Sequence, residues 1–182
     1  MSKVVVLLDM SVDGIAGDPS WTRPFVDDGY VKYRHGQLMS SRALLLGRIT
    51  YEQLCRGCLA RNESDAFTAR MQRIPKYIVS RTLRQVGGNS VLLDGDITEQ
   101  ITKLRSEPGQ DLFVYGSITL VDHLTTHDLV DELKLVIHPI VRGGAGRRVF
   151  PTDTPATTWR LAGTHTFDSG TVILDYRPAR RS

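Results

Sequence analysis

Short apolar runs alternate with longer polar segments through the first two thirds of this chain. The runs have the length and β-branched content typical of strands buried on both faces, and they cover residues 4–8, 43–46, 76–80, 91–93 and 112–115. The intervening segments carry helical spacing or helix boundary signals, which predict helices at 24–40, 48–56, 63–73, from the Asp96 capping box to Pro108, and 118–126. Strands and helices in alternation predict a mostly parallel sheet.

The last third of the chain has a different pattern. Leucine or isoleucine occupies every second position from residue 133 to 137, which indicates a strand with period two. Segments 158–167 and 171–177 flank Asp168-Ser169-Gly170, a hairpin signal. We therefore expect a three-layer α/β/α fold, in which a mixed sheet has helices on both faces and antiparallel strands at its C-terminal edge.

Length and composition are those of one globular domain over residues 1–182. The chain is 41% hydrophobic and 24% charged, which allows a sizeable core. It contains no run of 18 apolar residues, and the apolar run near the N-terminus is too short for a signal peptide, so we expect a cytoplasmic protein without a membrane span. The net charge of +3 comes from scattered residues, which suits small anionic ligands better than nucleic acid.

The two cysteines, Cys55 and Cys58, form a Cys-x-x-Cys pair. Such a pair can be a redox centre or half of a zinc site. A zinc site needs two further ligands at suitable spacing, and the chain has no second Cys pair. A redox motif would directly follow a strand, whereas this pair comes eight residues after Gly47. We expect ordinary thiols and no metal site.

The turn after the second predicted strand carries residues that suit a phosphate. Gly47 allows close approach to the backbone, Arg48 offers a charged fork, and Thr50 offers a hydroxyl in the first helical turn. The alternative is a surface turn with a solvated arginine. Two further turns, 80–82 and 116–119, also follow predicted strands and carry hydroxyls, glycine or arginine. Since the carboxyl ends of parallel strands share one edge, the three turns together favour a dinucleotide site.

The order of these segments resembles the dihydrofolate reductase superfamily, and more closely its branch related to the C-terminal reductase domain of bacterial riboflavin biosynthesis proteins. The segments that carry the resemblance are Ser11-Val12-Asp13-Gly14, Leu46-Gly47-Arg48-Ile49-Thr50-Tyr51-Glu52, Tyr77-Ile78-Val79-Ser80-Arg81-Thr82, Val114-Tyr115-Gly116-Ser117, Leu129-Val130-Asp131-Glu132-Leu133, His138-Pro139 and the glycine-rich loop before Val149-Phe150. These segments extend over nearly the whole chain.

The resemblance implies NADPH as the cofactor and assigns its parts to separate turns. It implies that Gly47, Arg48 and Thr50 hold the pyrophosphate and that Ser80, Arg81 and Thr82 meet the adenosine 2′-phosphate. The residues implied beside the nicotinamide and pyrophosphate are Tyr115, Gly116, Ser117, Ile118 and Thr119. The loop implied to close over the nicotinamide spans 12–16, with Val12, Gly14 and Ile15. Arginine and hydroxyl donors match the charge of a 2′-phosphate.

One feature of dihydrofolate reductases has no counterpart at the matching position. Their pterin is held by a carboxylate on the helix before the Gly-Arg turn, and that position falls near Val31. Asp27 and Asp28 lie about one helical turn earlier and are, with Tyr115, the weak catalytic candidates. The catalytic acid is therefore unassigned, although hydride transfer itself needs no protein nucleophile.

The resemblance implies a reductase that transfers hydride from NADPH to a small pyrimidine- or pterin-like heterocycle, and a homodimer. A nucleotide-binding or regulatory protein with the same groove and no turnover is the alternative. A nucleic-acid-binding protein is the least favoured alternative. Among single residues, we expect His35 and His138 to have no catalytic role. We expect Arg147 and Arg148 to be solvated and not to bind a ligand.

Overall fold

The strands and helices lie close to the positions that the apolar pattern predicts. The computed structural model describes residues 1–57, 65–144, 146–151 and 154–179. Its strands are β1 (Val4–Ser11), β2 (Ile15–Ala16), β3 (Ser41–Gly47), β4 (Lys76–Val79), β5 (Ser90–Leu93), β6 (Asp111–Tyr115), β7 (Glu132–His138), β8 (Arg147–Arg148), β9 (Trp159–Thr166) and β10 (Val172–Pro178). Its α-helices are α1 (Asp28–Met39), α2 (Arg48–Arg56), α3 (Ala66–Arg73), α4 (Ile97–Ser106) and α5 (Ile118–Thr126), and a 3-10 helix covers Pro19–Phe25.

The main sheet has eight strands in the order β5-β4-β3-β6-β1-β7-β10-β9, and β2 and β8 form a separate pair. Neighbouring strands from β5 to β7 are parallel, whereas β10 is antiparallel to both β7 and β9. The expected fold class is therefore confirmed as a mostly parallel mixed sheet with antiparallel C-terminal strands.

Strand β1 shows why a continuous apolar run was the right signal for a central strand. Val4, Val6 and Leu8 pack in one core with residues of α4 and α5. Val5 and Leu7 pack in the opposite core with residues of α1, α2 and α3. All five side chains are at most 4% exposed, so both faces of this segment are covered, which explains its continuous apolar sequence.

The α-helices are 8 to 12 residues long, and within the described residues none is long and apolar enough to cross a bilayer. Helices α1, α3 and α4 begin after an aspartate that caps the first turn. Asp27, Asp65 and Asp96 accept hydrogen bonds from backbone N–H groups three residues later, at 2.7, 2.9 and 3.1 Å. The helix start predicted at Asp96 is thus confirmed, with Asp96 as the N-cap residue.

Two predicted boundaries were wrong. The helix predicted from Pro24 begins at Asp28, because the Asp27 side chain caps it there and Pro24 belongs to the preceding 3-10 helix. Strand β1 continues through residues 9–11, beyond the predicted run 4–8, because these residues pair with β7 up to Ser11 opposite His138. For the helix predicted over 63–73, the predicted first residue lies outside the described residues.

Candidate active site

The turns that the sequence singled out lie along one edge of the sheet. Strands β4, β3, β6 and β1 are adjacent and parallel, so their carboxyl ends share this edge. The turns after these strands are, in the same order, 80–82, 47–50, 116–119 and 12–16. An extended ligand lying along this edge would meet the turns in that order.

The two middle turns touch each other at Gly47 and Ser117. A Cβ atom built on Gly47 would lie 2.1 Å from Ser117 Oγ, so a larger residue at position 47 requires a shift of the neighbouring turn. Gly116 and Ser117 have φ angles of 61° and 66°, a left-handed conformation that turns the chain sharply between β6 and α5. A Cβ built on Gly116 would meet no atom within 4 Å, which leaves open space beside the contact.

Helices α2 and α5 begin at this contact. Gly47 and Ser117 are their N-cap residues, and within the described part of the chain neither helix start has a side-chain cap. The first backbone N–H groups and the positive ends of two helix dipoles are therefore left for an anion. Because α2 packs on one face and α5 on the other, this is also a switch point of the sheet. The arrangement suits a pyrophosphate.

Arg48 and Thr50 lie in the first turn of α2, as expected. Arg48 Nη1 is 3.0 Å from Glu52 Oε1, and the two residues form a surface pair one helical turn apart. The Arg48 side chain is 43% exposed, and an exposed pair of this kind contributes only about 0.3–0.5 kcal/mol. The pair therefore leaves Arg48 available to a phosphate that binds at the helix start.

The turn at 80–82 is held by its own serine. Ser80 Oγ accepts hydrogen bonds from the backbone N–H groups of Thr82 at 3.1 Å and Leu83 at 3.0 Å. This turn leaves Arg81 exposed at the end of β4. A cation thus lies at the far end of the edge, separated from the Gly47 turn by one strand spacing.

Loop 12–16 is fastened to the segment that precedes Val149. Asp13 accepts hydrogen bonds from Ser11 Oγ at 2.6 Å and from the backbone N–H groups of Arg142 at 3.0 Å and Gly143 at 2.8 Å. These bonds lower the pKa of Asp13 to about 2, and the bond from Ser11 has the largest effect. The β2–β8 pair adds a second connection between the two segments.

The residues expected to cover a nicotinamide differ in their exposure. Val12 is 60% exposed at the tip of the loop, whereas Ile15 is buried. Gly14 lies between them with a φ of 76°. Arg147 and Arg148, which form β8, are both exposed, as expected for solvated residues.

A partly buried polar cluster that the sequence did not predict lies between α1 and the same edge. Tyr30 Oη donates to Asp9 Oδ1 at 2.9 Å and accepts from Arg34 Nη1 at 2.9 Å. Arg34 Nη1 is 3.4 Å from Asp9 Oδ2, and the Arg34 guanidinium carbon is 4.7 Å from the centre of the Tyr115 ring. His138 Nε2 donates to Asp9 Oδ1 at 3.0 Å. We call these five residues the Asp9 cluster.

The Asp9 cluster contains a fixed ion pair between neutral phenols. Burial alone would raise the pKa of Asp9, but the charge of Arg34 and the hydrogen bonds from His138 and Tyr30 outweigh burial and lower it. Burial opposes the charge of Arg34, yet Tyr30, Tyr115 and Asp9 raise the pKa of this guanidinium. Burial also raises the pKa of Tyr30 and of Tyr115, so both phenols are neutral at pH 7.

The Asp9 cluster could not be predicted from a local motif, because its members come from four separate elements. Two weaker signals were present in the sequence. Tyr30 and Arg34 have the i, i+4 spacing that places two side chains on one helix face. Asp9 directly follows an apolar run, and a carboxylate at such a position is rarely buried without a partner. His138 was expected to be structural, and it is fully buried, with Nδ1 3.2 Å from Thr171 Oγ1.

The catalytic candidates occupy different environments. Both oxygens of Asp27 are used structurally, since Oδ1 caps α1 at Tyr30 and Oδ2 accepts the backbone N–H of Ser169 at 2.7 Å. Asp28 is exposed, and so is Val31, at the position that matches the pterin carboxylate. Tyr115 alone among the candidates belongs to the Asp9 cluster.

The remaining residues that the sequence raised show no sign of catalysis. His35 stacks on Phe67, with ring centres 4.6 Å apart and an interplanar angle of 12°. Cys55 is a free, partly buried thiol, and Cys58 lies outside the described residues. Across the described ranges, no group of three or more His, Cys, Asp or Glu residues is arranged to hold a metal ion.

Known proteins share this architecture. The chain is 28% identical to Uncharacterized protein YyaP of Bacillus subtilis (strain 168) over 177 residues. This alignment covers 95% of this chain and 91% of that protein. The diaminohydroxyphosphoribosylaminopyrimidine deaminase/5-amino-6-(5-phosphoribosylamino)uracil reductase of Thermotoga maritima is similar in structure, with a TM-score of 0.67, 16% identity, and coverage of 98% of this chain and 57% of that chain.

A dihydrofolate reductase from Enterococcus faecalis, solved in complex with NADP(H), has the same fold. Its TM-score is 0.65 at 14% identity, over 97% of this chain and 96% of that chain. Identities this low establish the shared fold and nothing about the ligands of this chain. The family model described as the RibD C-terminal domain matches residues 2–173. Because this match extends over nearly the whole sequence, the chain belongs to the RibD C-terminal domain family.

Proposed function

We propose that this protein is a reductase that uses NADPH to reduce a small heterocyclic substrate of the pyrimidine or pterin type. The observation that carries the proposal is the meeting of two uncapped helix starts at Gly47 and Ser117. Such a start leaves backbone N–H groups for a phosphate, and two of them side by side match the two phosphates of a dinucleotide. Family membership and the neighbours named above, a uracil reductase and an NADP(H)-bound dihydrofolate reductase, support the same assignment.

The order of the turns along the edge supports an extended cofactor. The adenosine 2′-phosphate would lie against Ser80, Arg81 and Thr82 at the end of β4. The pyrophosphate would lie at the starts of α2 and α5, against Gly47, Arg48, Thr50, Gly116, Ser117, Ile118 and Thr119. The nicotinamide would lie between loop 12–16 and Tyr115, beside the Asp9 cluster. When bound there, the reduced nicotinamide supplies a hydride, and the protein supplies its orientation and shields it from water.

Titration calorimetry with NADPH and NADH tests this proposal. We expect NADPH to bind in the micromolar range and NADH at least about tenfold more weakly, because only NADPH carries the phosphate that Arg81 would meet. Arg81→Ala should remove this preference. Arg84→Ala is the matched control, because Arg84 is an exposed arginine of the same segment. Absence of binding to either cofactor would overturn the proposal.

A second function, nucleotide binding without turnover, is favoured by one observation. The described part of α1 presents no free buried carboxylate, since Asp27 uses both oxygens and Asp28 is exposed. A protein of this kind would bind NADPH in the calorimeter. It would fail to oxidise NADPH with dihydrofolate or with 5-amino-6-(5-phosphoribosylamino)uracil, when absorbance at the nicotinamide band is followed.

We further propose that two copies of this domain form a homodimer. Among the residues that the structure describes, no strand pairs with the outer edge of β9, and most residues of β9 are exposed. An edge of this kind offers unpaired backbone groups to a second chain. Light scattering on the purified protein should give twice the 20.3 kDa mass of one chain, and the single-chain mass would overturn this proposal.

A further inference from the structure

Arg34 is held on one side and open on the other. Its Nη1 atom donates to Tyr30 Oη at 2.9 Å and faces Asp9 Oδ2 at 3.4 Å, while the guanidinium carbon lies over the ring of Tyr115. The hydrogen bonds of Arg34 to Asp9 and Tyr30 both run from Nη1. The side chain is 20% exposed, so its remaining donors have access to a ligand.

Asp9, in contrast, has a partner on each of its two oxygens. Oδ1 accepts from both Tyr30 and His138, at 2.9 and 3.0 Å, and Oδ2 faces Arg34. A substrate that needs a carboxylate, such as a cationic amidine ring, would have to share Oδ2 with Arg34, whose positive charge would repel it. The Asp9 cluster therefore offers a new ligand the remaining donors of Arg34, whereas the charge of Asp9 is already balanced by Arg34.

The position of Arg34 relates this cation to the reaction. Tyr115, on which Arg34 stacks, directly precedes Gly116, and Asp9 lies near the end of β1 where loop 12–16 begins. Both positions adjoin the space proposed for the nicotinamide. We infer that Arg34 binds a carbonyl oxygen of the substrate, and that the substrate is a planar oxo-compound in which this oxygen is conjugated with the hydride-accepting carbon. The inference rests on the proposed function and names its substrate class.

This assignment gives a balanced reaction. The hydride forms a new C–H bond at the accepting carbon, the π bond of that carbon breaks, and its electron pair moves through the conjugated system to the oxygen. The Arg34 guanidinium stabilises the negative charge that develops there, and a proton from water then completes the reduced product. The sum is substrate, NADPH and one proton giving reduced substrate and NADP⁺. The low pKa of Asp9 agrees with this role, because an ionised Asp9 keeps the guanidinium in one orientation.

Two small ring compounds of the same size and opposite charge test the inference. Barbiturate is a planar anion with ring carbonyl oxygens, and 2,4-diaminopyrimidine is a planar base whose protonated form seeks a carboxylate. With the protein saturated with NADP⁺ at mildly acidic pH, calorimetry should show barbiturate binding at least about tenfold more tightly than 2,4-diaminopyrimidine. Arg34→Gln should weaken barbiturate binding by at least the same factor.

Two further variants control this measurement. Lys32→Gln makes the same charge change on an exposed position of α1 and should leave barbiturate binding unchanged. Arg34→Lys keeps the charge opposite Asp9 but loses the planar fork, so we expect barbiturate binding weaker than in the wild type and a folded protein even if Arg34→Gln does not fold. Equal barbiturate affinity of wild type and Arg34→Lys would overturn the inference, as would tighter binding of 2,4-diaminopyrimidine or no barbiturate binding at all.

The outcomes separate this inference from the proposed function. NADP⁺ binding is measured first in the same instrument, on the wild type and on each Arg34 variant. If NADP⁺ does not bind, the reductase groove itself is wrong. If NADP⁺ binds with unchanged affinity in Arg34→Gln while the preference for barbiturate is absent in the wild type, only the substrate class is wrong.

Discussion

Helices α1, α3 and α4 begin at an aspartate whose carboxylate accepts a backbone N–H, whereas α2 and α5 begin at Gly47 and Ser117 without a side-chain cap. The capped starts satisfy their own first turn. The uncapped starts follow adjacent strands, β3 and β6, and lie against each other at the carboxyl edge of the sheet.

We propose that this difference marks the place where the protein binds an anion. Capping residues are common and stabilise a helix by about 1 kcal/mol each, so two neighbouring starts without one give up stability that the other three helices retain. The N–H groups left over lie where open α/β sheets bind ligands. We interpret the uncapped pair as the anion-binding part of the groove and the capped helices as its scaffold.

The largest effect is expected from filling the contact between the uncapped starts. In Gly47→Ala the new Cβ would meet Ser117 Oγ, so the two helix starts must separate and the phosphate cradle changes shape. We expect NADPH affinity to fall about 100-fold, or about 2.8 kcal/mol, measured by calorimetry. Gly36→Ala, at a helical glycine whose added Cβ would meet no atom within 4 Å, should leave NADPH affinity unchanged.

A double variant keeps this first test independent of folding. Ser117→Gly removes the side chain that the new methyl group meets, and glycine suits the φ of 66° at this position. The combined Gly47→Ala and Ser117→Gly protein should therefore regain the melting temperature of the wild type. If its NADPH affinity also returns to within about fivefold of the wild type, the loss expected for the missing Ser117 hydroxyl, shape at the contact matters. If Gly47→Ala alone binds NADPH normally, the assignment of the phosphate site is wrong.

A capped start should respond in stability and leave cofactor binding unchanged. Asp27 accepts the backbone N–H of Tyr30 and, across the fold, that of Ser169 in the hairpin between β9 and β10. Asp27→Ala leaves two donors without their partner, so we expect the largest loss of unfolding free energy among the cap variants, read from urea unfolding. A loss of NADPH affinity in a folded Asp27→Ala protein would contradict the scaffold role and restore Asp27 as a catalytic candidate.

One variant of a capped helix start and one of an uncapped start should lose different properties. Asp96→Ala removes the cap of α4 and should cost about 1 kcal/mol of unfolding free energy, with unchanged NADPH affinity. Ser117→Ala should do the reverse, because the Ser117 hydroxyl does not cap its helix. We expect its unfolding free energy to stay within about 0.5 kcal/mol of the wild type. Its NADPH affinity should fall about fivefold, because one hydrogen bond to the cofactor is lost. If both variants lose only stability, the two kinds of helix start do not differ in function.

These two groups also show what could be predicted from the sequence. The capped start at Asp96 and the three turns were visible, because caps and βα turns are local patterns of a few residues. Their meeting along one edge followed from the rule that parallel strands end together. The start of α1 was predicted four residues early, because Pro24 fits a first helical turn as well as it fits a 3-10 helix.

The Asp9 cluster marks the limit of that reasoning. Asp9 and His138 are 129 residues apart and meet only because β1 pairs with β7 in one register, Ser11 opposite His138. A shift of one residue would turn Asp9 to the opposite face of the sheet. Side-chain chemistry that depends on strand register is therefore not visible in local spacing, even where the strands themselves are predicted correctly.

The smallest effect concerns a carboxylate that satisfies backbone N–H groups outside a helix. Asp13 accepts those of Arg142 and Gly143 as well as the hydroxyl of Ser11, and its pKa in the folded protein is about 2, below the ordinary 3.8. The unfolded chain then binds the proton more readily than the folded one, so the stability that Asp13 contributes is present above about pH 4 and is lost as the pH falls from 3.8 towards 2. In Asp13→Asn we expect a shallower fall of melting temperature over this range, together with faster amide hydrogen exchange at residues 142 and 143 at neutral pH. Parallel pH profiles of the two proteins would show that the bonds of Asp13 hold loop 12–16 without contributing to the stability of the fold.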